Sequence, residues 1–93
     1  MITTYEEAKE LIGERVSVER ESVRKVFSVV TNVLSVVEAL ENPEIRSGAQ
    51  NGLLCVIGGK REKSETEEAG DLQMYIYPDT KVDKLLKCTD LSF

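Results

Sequence analysis

With 93 residues the chain is sized for a single domain spanning residues 1–93, and a fold this small buries only about 60–65% of its unfolded surface, so partners often supply the rest. Its net charge of −5 works against nonspecific affinity for nucleic acid and for anionic membrane surfaces. The absence of histidine removes imidazole-assisted serine or cysteine nucleophiles, imidazole zinc sites and imidazole acid–base chemistry together.

From the N-terminus, Thr3 with Glu6 and Thr4 with Glu7 form overlapping capping boxes, which predict a first helix from residue 4 to Gly13 with Tyr5, Ala8, Leu11 and Ile12 inward. The opening residues are acidic and lack the basic and apolar regions of a signal peptide, so a cytoplasmic address is expected. Ser17 gives a second start signal, with Glu19 and Glu21 in the first turn, for a long valine-rich helix ending near Asn42 and Pro43.

Within residues 23–40 the apolar side chains repeat in threes and fours. Val23, Val30 and Val37 fall at heptad position a and Val26, Val33 and Leu40 at d, a helical seam suited to homo-oligomerisation. Phe27 and Leu34 at e and Val29 and Val36 at g widen the seam to face two neighbours. A strand is the competing reading, since valine costs a helix roughly 0.5 kcal/mol relative to alanine. It is set aside because Val29 and Val30 are adjacent, as are Val36 and Val37, which breaks a two-residue alternation.

Residues 53–57 (Leu-Leu-Cys-Val-Ile) read as a buried strand entered from an Asn51-Gly52 turn. A helical alternative through Ile45, Ala49, Leu53 and Val56 stays open for residues 43–58. Gly58-Gly59 reads as a flexible turn ending that strand. It is a poor match to a phosphate-binding loop, which needs glycine where Leu54 stands and serine or threonine where Arg61 stands. Residues 60–70 form a charged exposed loop. Residues 72–77 alternate, with Leu72, Met74 and Ile76 on one face and Gln73, Tyr75 and Tyr77 on the other, and are predicted to pair antiparallel with 53–57. Pro78-Asp79-Thr80 then starts a short C-terminal helix through Cys88, burying Val82, Leu85 and Leu86 and aligning Lys81, Lys84 and Lys87. Cys55 and Cys88 lack disulfide or zinc spacing and are expected to be buried free thiols.

The expected fold is therefore α+β: two N-terminal helices, the second long and oligomerising, packed on a small antiparallel β-hairpin with a short C-terminal helix. Two functions follow from the charge pattern. In the first, a small acidic oligomeric module of an accessory, regulatory or mobile-element kind binds or inhibits another macromolecule, a protein in particular, without catalysis, through Glu62, Glu65, Glu67 and Glu68. In the second, an oligomer sequesters a small anionic ligand such as a nucleotide between subunits, through Arg46, Lys60, Arg61, Tyr75 and Tyr77. No cofactor, metal, direct nucleic-acid or membrane partner is expected. The acids of residues 62–71 lack the ordered ligand positions of a calcium loop.

Overall fold

A computed structural model describes residues 4–86. Along the chain run α1 (Tyr5–Lys9), β1 (Arg15–Arg20), β2 (Val23–Ser35), α2 (Val36–Glu41), α3 (Pro43–Arg46), β3 (Cys55–Arg61), β4 (Gly70–Ile76) and β5 (Lys81–Leu85). All strands join one antiparallel sheet in the order β4-β3-β2-β1-β5. The fold is thus a five-stranded sheet with three short helices, not the helix-packed α+β arrangement expected from the sequence.

The expected long helix is instead β1, a turn and β2 as far as Ser35, and two bulges in β2 explain the misreading. Register slips between Phe27 and Val29 and again between Val30 and Asn32 leave Ser28 and Thr31 as extra residues opposite β3. Their hydroxyls bond back to the partner strand, Ser28 Oγ donating to the Lys60 carbonyl (3.3 Å) and Thr31 Oγ1 to the Gly58 carbonyl (3.4 Å). Each extra residue turns the two-residue period into three, so Phe27, Val30 and Val33 all reach the same buried side at spacings that imitate a helix. The helix begins only at Val36, where Ser35 caps it and Glu38 closes a capping box.

The C-terminal helix is also replaced by strand. Thr80 N–H donates to the Tyr77 carbonyl (2.9 Å) and Thr80 Oγ1 accepts from Tyr77 N–H (2.9 Å), closing a turn that delivers the chain into β5 against β1. Cys88 and Lys87 lie outside the described residues, as does the Thr3 half of the overlapping capping boxes. The Thr4 box is formed as expected, although α1 stops at Lys9. The β3–β4 pairing across the charged loop is likewise as expected, but Gly58 and Gly59 continue β3 instead of ending it.

That four-residue link, residues 77–80, makes the sheet curl. In a flat five-stranded sheet the edge strands would lie about 19 Å apart, four spacings of roughly 4.8 Å, which a link folded into a tight turn does not span. The sheet coils instead into an open barrel. Val16 and Val18 from β1, Phe27, Val30 and Val33 from β2, Cys55 and Ile57 from β3, Ile76 from β4 and Val82 from β5 meet in one core, joined by Ala8 and Leu11 from the α1 region. Gly59 permits the tightest part of the coil, because a Cβ there would overlap the Val29 carbonyl oxygen at the bulge. A second cluster, Ala39, Ile45, Leu53, Val56 and Tyr77, covers the outer face of β3 under α2 and α3.

β1 and β2 are joined by a two-residue turn at Glu21 (φ 52°) and Ser22 (φ 70°), both left-handed as a type I′ hairpin requires. Neither residue is the Asn or Gly that marks such turns. This hairpin was therefore hidden in the sequence.

No helix among the described residues is long and apolar enough to cross a membrane.

Candidate functional site

Among the described residues the barrel does not close with hydrogen bonds. β4 pairs with β3 along one edge, and among the described residues no strand pairs with the other. The hairpin tip is brought to that open edge by Arg20. Its Nε donates to Asp79 Oδ1 at 2.9 Å, and its guanidinium stacks 4.2 Å from the Tyr77 ring centroid. The Asp79 hydrogen bond favours the charged guanidinium and raises its pKa further.

Between the tip and the strand lies a cleft of about 300 Å3. Arg20, Glu21 and Val23 form one wall, with Gly48 and Gln50 at the α3–β3 connection and Gln73, Met74, Tyr75 and Tyr77 opposite. Successive strand residues point to opposite faces. That Gln73, Met74 and Tyr75 all line the cleft therefore places it along the β4 edge itself, open to main-chain pairing. Val23, 52% exposed, and half-buried Met74 give it apolar contact surface.

The two tyrosines are framework for this cleft and not a free aromatic platform. Tyr75 OH donates to the Ile45 carbonyl (2.8 Å) and Tyr77 OH accepts from Gln50 N–H (3.0 Å), so the two hydroxyls fasten α3 and the α3–β3 connection to the end of β4 and the residue after it. Gly48 leaves room for the Tyr75 hydroxyl, which a Cβ would approach to 2.7 Å.

The other basic residues of the expected anion set are elsewhere. Arg46 is exposed at the end of α3. Lys60 pairs with Asp71 at 2.6 Å, and this hydrogen bond holds the Asp71 carboxyl below its ordinary range. Arg61 donates through Nε to the Glu68 carbonyl (2.9 Å). Tyr75 and Tyr77 thus share one cleft, and Arg46, Lys60 and Arg61 do not line it.

The acidic set divides. Glu62 accepts a two-pronged contact from Arg15, 2.6 Å from Nε and 2.9 Å from Nη2, while Glu67 pairs with Lys25 at 2.8 Å. Hydrogen bonds from these cations hold both carboxyls below their usual range. Glu65 and Glu68 are exposed.

Of the expected oligomer seam, Val30 and Val33 are buried in the barrel core, Val26 is half-buried, and Val23, Val37 and Leu40 are exposed. The helical stripe on which that expectation rested is absent, since Val37 and Leu40 belong to α2 and the other four to β2.

Cys55 is buried in the core as expected, and burial pushes its thiol up to about 11, which leaves it protonated and unreactive at neutral pH.

Sequence reasoning missed Arg20, Gln73 and Met74 as site residues. The signal for the last two was present, because residues 72–76 form an alternating strand without a charge. Compared with protein families, with curated proteins and with solved structures, the chain matches none.

Proposed function

We propose that this chain is a noncatalytic protein-interaction module that takes an extended segment of another protein onto the open edge of β4. The observation that carries the reading is the coincidence of a strand edge with no strand partner among the described residues, uncharged from Leu72 to Ile76, with a preformed cleft walled by Val23 and Met74. Main-chain bonding at an edge supplies sequence-tolerant affinity, and the flanking cleft supplies selectivity for the added strand's side chains. Each added main-chain hydrogen bond contributes about 1 kcal/mol net, against the ordering cost of the segment, so affinity on the order of micromolar is expected.

A second copy of this chain belongs to the same class of partner, and this is how self-association enters the reading. Antiparallel pairing of β4 with β4 about Gln73 would set Leu72 opposite Met74 and keep the two Asp71 carboxylates off one another. A solution mass of twice the chain, lost on Gln73→Lys, would identify that case.

The test is selection of binders from a random-sequence peptide library, followed by titration of the winners against Val23→Glu and Gln73→Lys. Both positions are exposed, so the variants should fold, and loss of binding in both is expected. Selected peptides that bind both variants as tightly as the wild type would exclude the β4 edge as the docking site.

A further inference from the structure

A second recess, independent of the peptide cleft, lies where β2 passes under the β3–β4 loop. Its volume is about 350 Å3, within the range of small-molecule sites. Arg24 and Lys25 line it from β2, Arg61 from the end of β3, and Lys63 from the loop, with Glu62 and Glu67 as its only carboxylates. Both carboxylates are already engaged, Glu62 by Arg15 and Glu67 by Lys25. Three cations are left without an ion pair among the described residues: Arg24, Arg61 and Lys63. With Arg24, Lys25, Arg61 and Lys63 against Glu62 and Glu67, the lining is net positive in a chain of net charge −5.

The recess is also built, in the sense that its walls are held before any ligand arrives. Arg61 runs over Gly70, its cross-strand partner, where a Cβ would lie 3.6 Å from Nη2, and its Nε is fixed on the Glu68 carbonyl. No hydrogen bond occupies its Nη1 and Nη2 donors among the described residues. The loop is pinned to β2 twice, by Glu62 N–H donating to the Val26 carbonyl (2.9 Å) and by the Lys25 pair with Glu67. Ser64 Oγ accepts from the N–H groups of Thr66 (3.3 Å) and Glu67 (3.1 Å), which closes the loop on itself and sets the hydroxyls of Ser64 and Thr66 along the recess wall. Glu65 and Glu68 do not line it.

We infer that this recess binds a small phosphate-bearing molecule, its phosphoryl oxygens received by Arg24, Arg61 and Lys63. Guanidinium groups present paired N–H donors that match phosphate oxygens, and the ammonium adds charge without directional demand. The inference does not rest on the peptide reading, since no residue of the recess lines the β4 cleft.

The test is calorimetric titration of the intact chain with pyrophosphate, with a nucleoside diphosphate and with the same nucleoside lacking phosphate. Saturable binding of both diphosphates and none of the bare nucleoside is expected. Arg24→Gln and Arg61→Gln should each weaken pyrophosphate about tenfold, the loss of one charge-assisted contact. Arg61→Lys, which keeps the charge and removes the planar fork, should fall between wild type and Arg61→Gln. Lys84→Gln, on β5 and outside the recess, should bind as wild type does. Binding of the bare nucleoside, absence of saturation by pyrophosphate, or equal weakening by Lys84→Gln and Arg61→Gln would each overturn the assignment. Because Arg24 is exposed and makes no ion pair among the described residues, a folding defect does not complicate Arg24→Gln, and unchanged affinity in that variant would also count against the site.

Discussion

Along β5, Lys81, Asp83 and Lys84 place three charges in five edge residues, whereas β4 carries one, Asp71 near its start and paired with Lys60, and none from Leu72 to Ile76. Charged edges resist the addition of further strands, and an uncharged edge invites it. The same sheet therefore ends in one guarded strand and one open strand, and the open one faces a cleft. The contrast teaches that the interaction surface is not set by overall acidity. On the proposed reading it is set by which edge lacks charge and by the hairpin tip that Arg20 draws toward it.

The comparison is broken most severely by opening the coil that carries β4 to the tip. Gly59→Val would drive a side chain into the Val29 carbonyl and the Phe27 ring, and a loss of at least about 3 kcal/mol in urea unfolding is expected. Gly58→Ala meets only the end of the Asn32 side chain, which can swing away, so its cost should stay near or below about 1 kcal/mol.

Exchanging the character of the two edges comes next. Gln73→Lys should weaken a selected peptide about tenfold or more with little change in thermal midpoint. Conversely, Lys81→Gln, Asp83→Asn and Lys84→Gln combined should unguard β5 and produce concentration-dependent association by light scattering. If the triple variant stays as dispersed as the wild type, edge charge is not what separates the strands.

Smaller effects sharpen the picture of the cleft walls. Tyr75→Phe removes the bond to the Ile45 carbonyl and should cost about 1 kcal/mol, loosening the α3–β3 connection. Ser22→Gly relieves a left-handed non-glycine residue at the tip and should stabilise the chain by about 1 kcal/mol, read as a raised urea midpoint.

The least effect is expected from pH. Glu62 is held below its ordinary value of 4.5 in the folded chain by Arg15, so its contribution is fully present above the unfolded value and is lost as pH falls through the folded one. For a partly exposed pair about 0.5–1 kcal/mol is at stake, and Glu62→Gln should flatten the unfolding midpoint below about pH 4.5.

How much of this was legible in the sequence depended on whether local signals agreed with the fold. The Thr4 cap with Glu7 and the β3–β4 pairing were readable because a capping box and a clean alternation each have one physical meaning. β2 was not, since Ser28 and Thr31 insert bulges and the valines then fall at helical spacing around them. The Ser35 and Glu38 box was a usable sign that a helix starts there, and the heptad pattern obscured it. The β1–β2 hairpin lacked a signal altogether, as Glu21 and Ser22 are not the residues that left-handed turns favour. β5 was masked by Pro78-Asp79-Thr80, which caps a turn here although the same residues commonly start a helix. For the site, the alternation of residues 72–77 places Tyr75 and Tyr77 on one face, but their hydroxyls are committed to backbone partners through contacts distant in sequence. Pairings between strands distant in sequence decided where Arg20 and Val23 ended up, and no local pattern encodes them.

The most direct test of the central claim is amide hydrogen exchange of the chain with and without a selected peptide. Strand addition at β4 predicts slowed exchange confined to residues 71–75, with residues 81–85 on β5 unchanged. Protection on β5, or protection elsewhere with β4 unaffected, would contradict it.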